Sequence, residues 1–83
     1  MKTYNNHLII ILSMQDKYIE LNIFLKINNL APSGGTAKLT IRSGAVKVNG
    51  QVETRNKRKL HAGDVAEYEG KKYVAEETVL RQE

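Results

Sequence analysis

Two stretches of the chain carry the apolar spacing of short helices. From Tyr18 onward, three apolar residues at i, i+3 and i+4 share one helical face: Leu21, Phe24 and Leu25. Lys26 points away from that face. Pro32 forbids continuation of the helix, which is therefore predicted to end near Asn28.

A second short helix is predicted after a tight turn. Ser33 or Thr36 is placed to cap its start, and Gly44 is placed to end it. Ala37 and Ile41 are four residues apart, so they face inward together.

The apolar spacing then changes to the alternation of a half-buried strand. Residues 46–49 read Val-Lys-Val-Asn, and Asn49-Gly50 is the strongest short hairpin signal. Turns are also predicted at residues 62–64 and 69–71, with strands at 65–68 and 73–75. Two short helices followed by a small antiparallel β-sheet make an α+β fold.

The register of the first hairpin has two alternatives. A two-residue loop would set Glu53 and Gln51 opposite the inward-facing valines, which would put polar groups on the buried face. We therefore predict a three-residue loop, in which Val48 pairs with Val52 and Lys47 with Glu53, because a slip of one residue exchanges the two faces.

The two ends of the chain differ from this central part. Residues 1–17 are predicted to be an N-terminal extension with a possible short strand at Leu8–Leu12, residues 18–76 to be the folded domain, and residues 77–83 to be a frayed, charged tail. Met14 is an alternative start of translation. The apolar run of five residues is too short to span a membrane, so no membrane association is expected.

The charge of the chain is unevenly distributed. Its 83 residues carry a net charge of +4, yet residues 38–59 hold seven cations and one acid. Such a local positive field attracts phosphate-rich partners, although a merely solvated basic face is the alternative. The seven cations are Lys38, Arg42, Lys47, Arg55, Lys57, Arg58 and Lys59.

Few residues of this sequence indicate catalysis or metal binding. His7 and His61 are the only histidines, and neither stands at motif spacing from a nucleophile. Cysteine is absent, so thiolate metal sites are excluded and a cytoplasmic location is the default. Gly34-Gly35 lacks the following Gly-Lys-Ser/Thr of a phosphate-binding loop. We therefore expect no enzyme activity, no cofactor and no metal.

The basic surface is better suited to structured RNA than to reading bases. Phosphate contacts recognise position and shape, not sequence. Tyr68 and Tyr73 lie away from the cation cluster, so a base-stacking platform is not expected.

One motif resembles a known family. Residues 44–50, Gly-Ala-Val-Lys-Val-Asn-Gly, with Gly63-Asp64 opening a later strand, resemble the S4-like RNA-binding domain in its small stand-alone bacterial form. The resemblance covers residues 18–74 and implies a two-helix motif that docks on ribosomal or transfer RNA. It places Lys38 and Arg42 on the RNA-facing second helix.

The chain departs from the family pattern at two points. Leu21 is followed by Asn22 where many members have Asp, and Gly34-Gly35 replaces a common Ser-Arg. Both differences move the expected contacts toward residues 55–59.

Two functions remain open at this stage. The first is binding of structured rRNA or tRNA, including RNA in a ribosomal particle, through a basic helix and hairpin face: Lys26, Lys38, Arg42, Lys47, Arg55, Lys57, Arg58 and Lys59. The alternative is a protein-interaction adaptor that pairs its Leu8–Leu12 strand with a partner's sheet edge.

Overall fold

The computed structural model describes residues 17–82. Two helices and seven strands lie within that range, together with a 3₁₀ turn at Glu77–Val79. The helices are α1 (Leu21–Ile27) and α2 (Gly34–Arg42), and the strands are β1 (Lys17–Glu20), β2 (Val46–Val48), β3 (Gln51–Val52), β4 (Lys59–Leu60), β5 (Val65–Tyr68), β6 (Lys71–Val74) and β7 (Arg81–Gln82). The α+β fold is as predicted.

The strands form two antiparallel sheets. One has four strands in the order β3-β2-β5-β6, and the other has three in the order β4-β1-β7. In the three-stranded sheet, β1 pairs with β4 through Ile19–Leu60 and with β7 through Tyr18–Arg81. This sheet joins three distant parts of the chain.

One hydrophobic core lies between the helices and the inner faces of the sheets. Its largest fully buried side chains are Phe24, Leu21, Leu25, Ile41, Leu60 and Val46. The three apolar residues predicted on α1 and the pair Ala37 and Ile41 on α2 are all buried, as expected. Each helix is therefore attached by one narrow apolar stripe.

The second helix is bounded as its sequence indicates. The Ser33 hydroxyl accepts a hydrogen bond from the backbone N–H of Thr36 at 3.1 Å, so Ser33 is the N-cap. Gly44 follows the end of α2 with φ of +86°, a conformation that costs glycine little.

The predicted start of the first helix is wrong. Residues 17–20 form β1, and the helix begins only at Leu21. The side chain of Ile19 is buried between its two outward-facing neighbours, as strand alternation requires. Long-range pairing with β4 therefore decides the local structure, and the helical spacing does not extend back to Tyr18.

The predicted hairpin register is also wrong. Val48 pairs with Gln51 and Lys47 with Val52, so the loop is the two-residue turn Asn49-Gly50. Both turn residues have positive φ, +52° and +85°, as a type I′ turn requires. The preference of Asn-Gly for a two-residue turn prevails over the burial of Val52. As a result Val52 is 58% exposed, and Glu53, only 7% exposed, takes the inward position.

Residues 77–82, which were predicted to belong to a frayed tail anchored by Val79 and Leu80, form a 3₁₀ turn and a strand. After the 3₁₀ turn, β7 pairs with β1, and the side chains of Val79 and Leu80 pack against the core. Within residues 17–82 no helix is long and apolar enough to cross a membrane. The possible strand at Leu8–Leu12 lies outside the described residues.

Candidate nucleic-acid interface

The basic segment that follows the hairpin is organised around one buried carboxylate, that of Glu53. Its Oε1 accepts hydrogen bonds from Arg55 Nη2 at 2.9 Å and from Arg58 Nη1 at 2.7 Å. Its Oε2 accepts bonds from the backbone N–H and from Nε of Arg55, both at 2.9 Å. Each oxygen thus receives two donors, which compensates the desolvation of a buried charge.

These donors set the protonation of Glu53. The hydrogen bonds from Arg55 are the largest influence, and they lower the pKa of Glu53 from 4.5 to about 2, with a further contribution from Arg58, against burial, which would raise it. The same pairing raises the pKa of Arg55. Glu53 therefore remains an anion throughout the ordinary pH range.

The two arginines have different positions. The side chain of Arg55 is 72% exposed, whereas that of Arg58 is 29% exposed. Arg55 can contact a ligand while it stays bound to Glu53. Arg58 mainly ties the segment to the fold, so its positive charge is partly used within the protein.

Backbone hydrogen bonds hold the same segment against α1. Arg58 N–H donates to the Arg55 carbonyl at 3.2 Å, which closes a turn with the exposed Lys57 at its tip. The first N–H groups of α1 donate to this turn, Leu21 to the Arg58 carbonyl at 2.8 Å and Asn22 to the Asn56 carbonyl at 3.1 Å. The turn thereby replaces a side-chain cap at the start of α1.

The segment forms one side of an open basic groove of about 500 Å³. The groove brings together four of the predicted site residues and one further side chain: Arg55, Lys57, Arg58, Lys59 and His61. Because Glu53 and the start of α1 hold the backbone of this segment, and Glu53 also holds the side chains of Arg55 and Arg58, part of the positive charge is positioned before any ligand arrives. A groove of this kind can follow a phosphate backbone.

Aromatic groups lie beside these cations, contrary to expectation. The ammonium of Lys59 lies 4.6 Å from the centroid of the Tyr18 ring, and the rings of Tyr18 and His61 are 6.4 Å apart. Sequence reasoning missed Tyr18 because it was assigned to a helix. No local signal reveals the contact, which depends on the pairing of β1 with β4.

His61 is held by the turn at Gly63-Asp64. The Asp64 carboxylate accepts a hydrogen bond from the backbone N–H of His61 at 2.7 Å and another from Asn49 Nδ2 at 3.1 Å. Asn49 Oδ1 in turn accepts the N–H of Val65 at 2.9 Å. The Asn-Gly turn and the Gly-Asp turn, which are separate parts of the sequence motif, are therefore one structural unit.

The other predicted site residues do not line the groove. Lys38 and Arg42 are exposed on α2, and Lys26 is exposed near the end of α1. Lys47 lies on the outer face of the four-stranded sheet, where it pairs with Glu67 and not, as predicted, with Glu53. Lys47 thus stands beside an acid, which makes it a weaker candidate for phosphate contact.

The described residues offer little to a metal ion. Among residues 17–82 no group of three or more histidine, aspartate or glutamate side chains is arranged to hold one.

Two helices packed on small antiparallel sheets, with a turn-linked basic groove, define a compact α+β binding domain. The chain belongs to the S4 domain family, whose model matches residues 12–76. The resemblance seen in the Gly-x-Val-x-Val-Asn-Gly motif is thereby confirmed.

Similar proteins are found in two well-studied bacteria. The probable ribosome maturation protein RlbA of Bacillus subtilis (strain 168) is 41% identical over 59 residues, which cover 71% of this chain and 83% of that protein. The putative RNA-binding protein YbcJ of Escherichia coli (strain K12) is 42% identical over 53 residues, which cover 64% of this chain and 76% of that protein.

Proposed function

We propose that this protein binds structured RNA through the groove at Arg55–His61. The observation that carries the proposal is the anchoring of Arg55 and Arg58 on Glu53, which holds a run of cations in one fixed arrangement. A charged surface that were merely solvated would not need a buried carboxylate to shape it. Preorganised cations lose less entropy when a phosphate backbone binds.

The target we favour is ribosomal RNA within an assembling ribosomal particle, with transfer RNA as the alternative RNA. Support comes from the relatives, one named as a probable ribosome maturation protein and the other as a putative RNA-binding protein. The exposed cations of α2, Lys38 and Arg42, provide a second contact surface that would suit a folded RNA more than an isolated strand.

The proposed role is that of a binding module and not of an enzyme, acting in the cytoplasm of a bacterium. Two histidines without a nucleophile at motif spacing, and a groove dominated by cations, support binding over catalysis.

Crosslinking of the tagged protein in its native cell, followed by sequencing of the recovered RNA, tests this proposal. The test variant is Lys38→Glu with Lys57→Glu, two exposed cations that leave the Glu53 pairs intact. Its matched control is Lys71→Glu with Lys72→Glu, which makes the same charge change on β6. We expect enrichment of one rRNA region, lost in the test variant and kept in the control.

The salt dependence of binding in vitro provides a second measure. If about six phosphates are contacted, log affinity should fall against log salt with a slope of about −4 to −5. A slope near zero, or equal loss of RNA in both charge variants, would contradict the proposal.

A further inference from the structure

We propose that the outer face of the three-stranded sheet holds one unpaired RNA base against Tyr18 and His61, at the edge of the basic groove. This inference rests on the proposed RNA binding and adds a feature of the target: a loop or bulge nucleotide next to the bound phosphates. The juxtaposition that supports it is two aromatic rings and a lysine ammonium on β1, on β4 and on the residue that follows β4.

Strand register brings the two rings together. Ile19 pairs with Leu60 and Glu20 with Lys59, so continuing the antiparallel register sets Tyr18 opposite His61. The buried side chains of Ile19 and Leu60 define the inner face of this sheet. Because side chains alternate along a strand, Tyr18, Lys59 and His61 share the outer face with Glu20, which is opposite Lys59.

The rings are accessible and also supported. The His61 side chain is 46% exposed and lines the groove, while its backbone is held by the Asp64 carboxylate. Tyr18 is half-buried, and its ring is tilted by 54° relative to the imidazole. A flat base entering from the groove would meet the imidazole of His61 first, and the phenol of Tyr18 lies directly beside that imidazole.

Lys59 would change its contact when a base arrives. Its ammonium lies over the Tyr18 ring, on the surface that a base would use for stacking. An exposed cation–π contact is weaker than the stacking of a base on an aromatic ring. A base that stacks on Tyr18 would therefore displace the Lys59 ammonium from this ring face, and Lys59 also lines the groove in which a phosphate would lie.

The aromatic rings of Tyr18 and His61 suit an unpaired nucleotide better than a duplex. In an RNA helix the bases are stacked on one another, so an aromatic ring reaches only bases in loops, bulges and ends. The lysines and arginines of the groove would hold the flanking phosphates, and the base would stack on one of the two tilted rings with its edge against the other. The protein would then select structured RNA that exposes at least one base.

Fluorescence of 2-aminopurine provides the test, using the full chain and two RNA probes of equal length. One is a stem-loop with 2-aminopurine in the loop, and the other is a blunt duplex with the same base paired. We expect a change of fluorescence on binding of the stem-loop alone. Tyr18→Leu should weaken stem-loop binding at least fivefold and duplex binding less than twofold.

Further variants separate this inference from the proposed function. Tyr18→Phe keeps the ring and should bind the stem-loop within twofold of the original chain. His61→Ala, at an exposed position, gives the same test if Tyr18→Leu does not fold, which thermal unfolding will show. Neither Tyr18→Leu nor Tyr18→Phe changes a charge, so the salt slope should stay constant in both.

Two results would overturn the inference. If Tyr18→Leu and His61→Ala both bind the stem-loop as tightly as the original chain does, no base is stacked here. The same conclusion follows if each variant loses as much affinity for the duplex as for the stem-loop. RNA binding that Lys57→Glu still weakens would then leave the proposed function standing. Insensitivity of binding to Lys57→Glu would instead remove the proposed function itself.

Discussion

The two sheets of this protein are built in different ways. In the four-stranded sheet, β2 and β3 are joined by Asn49-Gly50, and β5 and β6 by Glu69-Gly70, both two-residue turns with positive φ. In the three-stranded sheet, β1, β4 and β7 come from separate parts of the chain and pair at two positions each. The four-stranded sheet thus consists of two locally specified hairpins joined by the long-range pairing of β2 with β5, whereas every pairing in the three-stranded sheet is between segments distant in sequence.

The outer faces of the two sheets both set a lysine opposite an acid, but they differ in their aromatic groups. The outer face of the four-stranded sheet carries Lys47, Glu67 and Lys72 in one row of paired residues, so opposite charges alternate. The outer face of the three-stranded sheet has Glu20 opposite Lys59, and it also places Tyr18 and His61 next to the basic groove. The binding surface we propose therefore lies in the part of the fold that local sequence determines least.

Glu53 directly follows β3 of the four-stranded sheet and binds Arg55 and Arg58 of the basic groove. Its replacement should therefore have the largest effect on stability. Glu53→Gln keeps the shape but leaves two arginine partners without their anion. We expect the free energy of unfolding to fall by about 2–3 kcal/mol, because the charge-assisted hydrogen bonds that both arginines donate to Glu53 are weakened or lost. Urea denaturation measures this loss. Glu67→Gln on the four-stranded sheet is the control and should change stability by about 0.5 kcal/mol or less.

A loss below about 1 kcal/mol in Glu53→Gln would contradict this prediction. It would mean that the ion pairs only balance the cost of burying the charge.

The pH dependence of stability provides a related test. The folded pKa of Glu53 is lowered from 4.5 to about 2, so its stabilising contribution is complete above pH 4.5 and is lost as the pH falls toward 2. The difference in unfolding free energy between the original chain and Glu53→Gln should therefore shrink across this interval. A difference that stays constant from pH 7 to pH 2.5 would exclude Glu53 as its source.

Arg58 and Lys57 should separate stability from binding within one turn. Arg58→Ala removes a 2.7 Å ion pair with Glu53, and we expect a loss of about 1.5–3 kcal/mol of stability together with weaker RNA binding. Lys57→Ala, at the exposed tip, should change stability by about 0.5 kcal/mol or less and reduce the salt slope by about 1. Thermal unfolding and RNA titration measure the two effects, and equal destabilisation by both changes would refute the distinction.

The smallest effect is expected in the locally specified sheet. Glu69 has φ of +52°, which is unfavourable for a glutamate and better tolerated by asparagine. Glu69→Asn should therefore raise the free energy of unfolding by about 0.5–1 kcal/mol and leave RNA affinity unchanged. A decrease in stability would indicate that the turn favours glutamate for another reason.

Several elements could be read from the sequence because their causes are local. The Ser33 cap, the end of α2 at Gly44 and the turn at Asn49-Gly50 each depend on a few neighbouring residues. The apolar stripes of α1 and α2 were also identified correctly. The predicted hairpin register is wrong because it keeps the polar Glu53 out of the core. Glu53 can be buried because its carboxylate accepts hydrogen bonds from two arginines that lie beyond the hairpin.

Sequence by itself determined the α+β class, the two helices, the main turns and the concentration of cations at residues 38–59. These follow from short-range sterics, apolar spacing and composition. Tertiary structure alone decided that β1 is a strand, that Glu53 is buried, and that Tyr18 lies beside His61. Such features depend on which distant segments meet and on which charges become desolvated together, and no local pattern carries that information.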